Sequence, residues 1–220
     1  MWNCDDIQTE VNELLMHYQK LSISKEDATG IHLSGTIDVY RSALDYILQK
    51  QYVVEIEVPK ALDKLPVVFD KKGAVSSNYA HKYVDGSLCL ETDSYIMYRF
   101  IDGMNLVAWM DEFVEPYFFS YEFFCRFGKY PFGERPHNAE GIIHTYQDLW
   151  HESDPLITFQ LLRYAAEEQY RGHLFCPCNS GKRIRNCHGP IMFSYMSDTR
   201  RLEILRNDLK NIRKVLIKNK

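Results

Sequence analysis

Two groups of residues combine side-chain type and spacing in a way that could do chemistry. The first is the strip HKYVDGSLCL, residues 81–90. Asp85-Gly86-Ser87 has the composition of a tight turn, and Cys89 follows it between Leu88 and Leu90, whose apolar side chains could pin the backbone while the sulfur faces a groove. A thiolate mounted in this way is a nucleophile able to accept an acyl group. His81 precedes the cysteine on the same strip and has three open roles: a base, an oxyanion donor through its ring N–H, or a clamp for the loop. The second group is Cys176-Pro177-Cys178 followed by Cys187-His188. Three thiolates and one imidazole are a complete tetrahedral shell for a structural zinc. Asn179-Ser180-Gly181 allows a tight knuckle between the two ligand pairs. With all four positions supplied by protein, such a metal holds a module together and leaves no place for a hydrolytic water.

These residues need elements to position them. Ile7, Val11, Leu14, Leu15, Tyr18 and Leu21 recur at helical spacing, so residues 6–21 read as an amphipathic helix that ends near a turn region at 22–30. Residues 31–40, 44–49 and 52–58 carry β-branched and aromatic residues with partial alternation and short polar breaks, which predicts an antiparallel meander. Pro59 and Pro66 lead into a long irregular passage, 70–95, that carries the Cys89 strip. A helix follows around Leu106, Trp109, Met110, Phe113, Val114 and Tyr117, with Pro116 expected to bend or end it. Beyond the Pro/Gly-rich start of 131–150 comes a short helix from about Gly141. Another should run from Asp154, an N-cap before Pro155, to about Tyr170. Leu202, Leu205, Leu209, Ile212 and Leu216 mark a last amphipathic helix, with capping candidates at Ser197-Asp198-Thr199. Its basic residues Arg200, Arg201, Arg206, Lys210, Arg213, Lys214, Lys218 and Lys220 are expected to point outward.

Composition bounds the class. A chain of 220 residues with 45% hydrophobic and 14% aromatic content can bury a core and is too apolar for disorder. The start, MWNCDDIQTE, is acidic and unlike a secretory signal, so a cytoplasmic protein with no membrane association is expected. In that compartment the six cysteines point to metal or catalysis ahead of disulfides. Cys4 and Cys125 read as small buried hydrophobes, and His137 and His144 as solvated loop histidines. Residues 182–220 hold 11 of the 26 Lys and Arg but only 3 of the 30 Asp and Glu, leaving 15 against 27 in the rest. A basic end of this kind fits an acidic protein surface; nucleic acid is the disfavoured rival, since the helix lacks interleaved aromatics. Neither GxxxxGK[ST] nor GxGxxG occurs, and the H-x-E with P-C-x-x-C of zinc deaminases is absent, so nucleotide-dependent activation and base deamination are excluded by motif.

The strip Gly86-Ser87-Leu88-Cys89-Leu90, set after a meander and before a helix, resembles the active-site segment of ubiquitin-conjugating enzymes, in particular the divergent bacterial branch. Tyr79-Ala80-His81 stand where that family carries histidine, proline and asparagine. The run CPCNSGKRIRNCHG resembles the SEC-C zinc motif. Together they resemble the short conjugating component of CBASS antiphage operons. The resemblance implies an α+β fold: a ubiquitin-conjugating-like meander flanked by helices over 1–152, a connecting helix at 153–172, a SEC-C module at 173–190 and a basic helix at 191–220. It implies a thioester between Cys89 and the C-terminal glycine of a cGAS-like cyclic-oligonucleotide synthase, passed on to an amine of a protein or other acceptor, with His81 in a supporting role. The bacterial SEC-C module implies a docking partner. A cysteine-protease dyad of Cys89 and His81 is a competing chemistry. The non-catalytic alternative is a zinc-stapled adaptor on an inactive conjugating fold.

Overall fold

A computed structural model describes residues 7–61, 64–134, 136 and 138–218. Cys4, His137 and Lys220, and the side chains of Leu216 and Lys218, lie outside what it describes. The protein is α+β and divides into two compact units, one formed by residues up to Glu91 with Asp102–Glu134, the other by Thr92–Ile101 with Arg135–Lys220. Among the described residues no helix is long and apolar enough to cross a membrane.

The first unit is built on an antiparallel meander as expected, except that the segments 44–49 and 52–58 belong to one continuous strand: the turn falls at Leu44-Asp45, and the polar break at Lys50-Gln51 stays paired with the neighbouring strand. Strands β1 (Leu21–Glu26), β2 (Gly30–Ala43), β3 (Tyr46–Pro59) and β4 (Val67–Asp70) pair in chain order. Alternation decides which face is core: Ile31, Leu33, Ile37 and Val39 on β2 and Tyr52, Val54, Ile56 and Val58 on β3 are all buried. Helix α1 (Ile7–His17) is shorter than its apolar period, because Leu21 already begins β1. Strand β1 falls where a turn region is expected. It lies close against β2 at Gly35, where a Cβ would come within 2.0 Å of the Lys20 carbonyl oxygen. The β2–β3 hairpin closes through Leu44 (φ 50) and Asp45 (φ 59), a two-residue turn with both residues left-handed.

The helical layer of this unit contains an irregularity with a local cause. Helix α3 (Leu106–Trp109) runs into a π-helical turn, Met110–Val114, and then into α4 (Glu115–Phe127). In the π register the Glu115 N–H reaches back to the Met110 carbonyl. The next donor in that register would be residue 116, a proline without an N–H, so the Asp111 carbonyl is left over. Arg41 donates to that carbonyl and to the Asp111 carboxylate, while its Nε donates to Glu115 Oε2 at 3.0 Å. Tyr18 Oη donates to the other Glu115 oxygen at 2.7 Å. Of the two outcomes expected at Pro116, bending or ending, it does not end the helix: α4 continues for more than three turns after the π turn, stacking Phe118 on Tyr52 at 4.0 Å between ring centroids. Cys125, expected in the core, is exposed. The apolar run outlasts the surface available to bury it, since Phe127 in the same last turn is also 46% exposed.

The second unit is helical: α2 (Asp93–Arg99), α5 (Asn138–Trp150), α6 (Pro155–Glu167), α7 (Gly189–Met196) and α8 (Thr199–Lys218). Asp154 caps α6 as its sequence suggests, accepting from the N–H groups of Leu156 and Ile157 at 2.8 and 3.1 Å. One apolar core joins Tyr146 and Trp150 of α5, Leu161 and Leu162 of α6, Met192 and Tyr195 of α7 and Leu205, Leu209 and Ile212 of α8. The helix at 155–167 thus packs into a core, and the basic helix α8 contributes its leucine face to the same core. Part of the α8 charge is used within the unit. Arg213 pairs with Glu167 at 2.5 Å, Arg206 donates to the Ala166 carbonyl at 3.2 Å, and Arg200 pairs with its own N-terminal Asp198 at 3.0 Å.

Inside this core Asp208 accepts from Tyr146 Oη at 2.7 Å, and Tyr98 Oη lies 2.9 Å from Tyr146 Oη. Burial pushes the Asp208 carboxyl up to about 7.

Two outcomes are expected. Replacing Arg41 with Ala takes the donor from the Asp111 carbonyl and from Glu115 Oε2, leaving Tyr18 on the other Glu115 oxygen, and should lower unfolding stability by roughly 1–3 kcal/mol. Arg41→Lys should recover only part, because a single Nζ cannot sit where both Nε and Nη2 of the guanidinium meet their acceptors; an unchanged denaturation midpoint for the Ala variant would refute the role. For Asp208 the folded pKa lies above the unfolded value, so its stabilisation is full below about pH 4 and is lost as pH rises through about 7. Asp208→Asn keeps an acceptor for Tyr146 and removes the ionisation. At pH 8 it should gain on the order of 1–4 kcal/mol over wild type, and the difference should vanish near pH 4. A variant less stable than wild type at pH 8 would contradict this.

Candidate functional site

Residues 67–90 show how the chain mounts Cys89. Asp85 Oδ1 accepts from the Ser87 N–H at 2.9 Å and from its hydroxyl at 2.6 Å, and Gly86 takes a left-handed φ of 89. The Tyr83 N–H donates to the Ser87 carbonyl at 2.9 Å and closes the turn. Past it, the Leu88 N–H donates to the Val68 carbonyl of β4 at 2.9 Å, and the Cys89 N–H donates to the His81 carbonyl at 2.8 Å. Within the expected irregular passage, which has no regular strand from Lys71 until α2 begins at Asp93, residues 81–89 make a small hairpin-like return bridged to the sheet edge. Leu88 is buried, as a pin must be, and Cys89 is half-buried.

The stem of this hairpin is held from several sides. Asp70, whose side chain is fully buried, accepts from the Val75 N–H at 2.8 Å and lies 3.8 Å from the ammonium of Lys82, which also donates to the Val75 carbonyl at 3.0 Å. Tyr117 Oη of α4 donates to the His81 carbonyl at 2.9 Å, so that oxygen accepts from both the Cys89 strip and the helix. Burial first, then the neighbouring Tyr79 and Cys89, hold the Tyr117 phenol far above its ordinary range, so it stays a neutral donor beside the cysteine. The His81 ring packs between Tyr79 and Tyr130, with centroids 5.4 and 5.3 Å away, and its Nε2 is 3.9 Å from Glu134 Oε1. His81 and Cys89 are thus joined through the backbone, and the histidine ring stands in an aromatic setting with a carboxylate at one end. No motif in the sequence marks Tyr117, Tyr130, Asp70 or Lys82 as parts of this arrangement.

In the second unit the chain reverses from Phe175 to Arg183 through a knuckle. The Cys176 N–H donates to the Lys182 carbonyl at 2.9 Å and the Ile184 N–H to the Leu174 carbonyl at 2.8 Å, with Asn179 (φ 59) and Gly181 (φ 73) making the reversal. A short 3-10 turn, Ile184–Asn186, carries Cys187 back toward the first pair, and α7 starts at Gly189, where a Cβ would meet the Ile184 carbonyl oxygen at 2.4 Å. Cys176, Cys178, Cys187 and His188 are gathered so that their ligand atoms all lie within 4.8 Å of one another. Cys176 Sγ and Cys187 Sγ are each 3.4 Å from His188 Nδ1, and Cys178 Sγ is 3.5 Å from Cys187 Sγ. The edges of a tetrahedron built from zinc–sulfur and zinc–nitrogen bonds are about 3.5–3.8 Å. The group could hold a metal ion with little movement. Burial raises the Cys176 thiol to about 11, whereas at Cys178 burial is outweighed by hydrogen bonds from Ser180 and the neighbouring cysteines, which bring it down to about 6. Cys176 is also 2% exposed and a member of the unit's apolar core, which ties the ligand group to helices α5 to α8.

His144 stands on α5 with Nδ1 3.7 Å from Asp148, in the unit that does not contain Cys89. Comparison of the chain with protein-family models, with curated proteins and with solved structures found no match.

Proposed function

We propose that the protein is a ubiquitin-conjugating-like cysteine acyltransferase with a structural zinc in its helical unit. The observation that carries the catalytic part is the mounting of Cys89: a half-buried thiol beyond a tight turn on the edge of an antiparallel meander, its N–H pinned by the His81 carbonyl. The reaction that fits is transthioesterification. The Cys89 thiolate attacks the carbonyl of a donor already activated as a thioester, the new C–S bond forms, and the donor's former thiolate leaves. A primary amine of the acceptor then attacks the Cys89 thioester, loses its proton and expels the Cys89 thiolate, leaving an amide. In this reading the donor is a protein ending in glycine, of the cGAS-like synthase class, and the setting is antiphage defence. His81 serves through its carbonyl as the clamp of the loop, and its ring, between Tyr79 and Tyr130, remains open to a donor role. The zinc would be held by Cys176, Cys178, Cys187 and His188, where it supplies cross-linking and no reactive water. The basic face of α8 is the docking surface for an acidic protein partner.

Incubated with a glycyl-thioester donor, the wild-type chain should gain one reducible adduct by intact mass. Cys89→Ala should gain none, and Cys89→Ser should form an oxyester that resists thiol reductants. An adduct of undiminished yield in the alanine variant would remove Cys89 from the chemistry and leave the zinc-stapled adaptor as the reading.

Elemental analysis of protein purified without chelators should give about one zinc per chain. Cys178→Ser or Cys187→Ser should lose it together with part of the helical circular dichroism, because a four-ligand metal site and the core around it share one folding free energy. Native protein without zinc would overturn the assignment.

A further inference from the structure

Glu152 follows the end of α5, far upstream of the cysteines in sequence, and its side chain is only 14% exposed. Its Oε2 lies 3.3 Å from His188 Nε2. Its other oxygen, Oε1, accepts from the backbone N–H of Asp154, the N-cap of α6, at 3.0 Å. Both carboxylate oxygens are therefore engaged, one by a candidate metal ligand and one by the α5–α6 junction. On the opposite edge of the same imidazole, Nδ1 faces the sulfurs of Cys176 and Cys187 at 3.4 Å each. A neutral imidazole offers one lone pair and one N–H, and which nitrogen has the proton is set by the partner of the other. A carboxylate has only acceptor sites, so its place at Nε2 selects the tautomer with the proton there and the Nδ1 lone pair directed at the sulfur group.

We propose that Glu152 is a positioning residue for the metal centre: it accepts the Nε2–H of His188, orients the ring with Nδ1 as the ligand, and links metal loading to the α5–α6 junction. The inference rests on the reading that Cys176, Cys178, Cys187 and His188 bind zinc. A carboxylate behind a ligating histidine also makes the imidazole more basic, and losing such a partner commonly costs 10- to 100-fold in metal affinity.

The test is a competition titration of the full chain with a chromophoric chelator, using zinc, for wild type, Glu152→Gln and Glu152→Ala. The same proteins are loaded with cobalt(II) to read ligand type from the thiolate charge-transfer bands. Glu152→Ala should bind zinc 10- to 100-fold more weakly with the cobalt spectrum still that of three thiolates and one imidazole. Glu152→Gln has one amide oxygen, enough for the Nε2–H or for the Asp154 N–H but not for both, so it should bind zinc more weakly than wild type and at least as tightly as the alanine variant. A glutamate that only supported the helix junction would lower the thermal midpoint of the metal-free protein and leave zinc affinity unmoved. Alanine binding zinc as tightly as wild type overturns the proposal while leaving the zinc site standing. Wild-type protein that binds no zinc overturns the site itself, and the two failures are told apart by that first measurement.

Discussion

The His81 carbonyl oxygen accepts two hydrogen bonds at once, from the Cys89 N–H and from Tyr117 Oη, and the arrangement of the cysteine-bearing unit depends on that junction. A carbonyl has two lone pairs, so both demands can be met without competition. One bond fixes the height of the cysteine along the hairpin, and the other fixes the hairpin against α4. Tyr117 can make its bond because the preceding π turn sets the phase in which α4 leaves α3. That turn is tolerable because Arg41 takes up the carbonyl that Pro116 cannot serve. A chain of local satisfactions thus runs from a strand residue through a helix irregularity to the backbone of a thiol.

The helical unit follows a different logic. Its ligand group is not an appendage on a finished core: Cys176 lies among the apolar side chains of α5 to α8, and Gly189, which begins α7, has no room for a side chain beside the Ile184 carbonyl. The charge of α8 is arranged in keeping with this. Arg206 and Arg213 reach back to α6, so part of the basic end stabilises the unit's own fold, and the remainder of that face is what a partner would meet.

Features that rest on side-chain type at fixed spacing were legible in the sequence. The gathering of Cys176, Cys178, Cys187 and His188 into a group that could hold a metal, the Asp154 cap, the Asp-Gly-Ser turn and the buried Leu205, Leu209 and Ile212 of α8 each follow from a local rule. What was illegible depends on contacts between distant residues or on uncommon backbone. Strand β1 is polar on most of its length and is a strand because β2 offers it a partner. The hairpin at Leu44-Asp45 lacks the Asn-Gly or Asp-Gly signal, so the strand boundaries blur. Pro116 reads as a helix breaker because the Arg41 that compensates it is remote in sequence. Cys125 looks buried in its aromatic run because the sequence does not say where the sheet ends. Glu152 carries no ligand signature at all, since a carboxylate behind a histidine can come from anywhere in the chain.

Residues 92–101 belong to the helical unit although they lie between two stretches of the sheet unit, and biosynthesis delivers them early. Helix α2 leaves the ribosome long before α5 and α8, the elements it packs with, and the polypeptide must then complete α3 and α4 of the other unit before those partners exist. At ordinary elongation rates, about 5–20 residues per second, the wait lasts some seconds, far longer than a helix takes to form or melt. Tyr98 therefore spends that interval without Tyr146, its hydroxyl neighbour in the finished protein. The chain passes between the units three times, so a cut after residue 134 would not release the helical unit whole; it would release one lacking a helix. The two units are separable as cores and inseparable as gene segments.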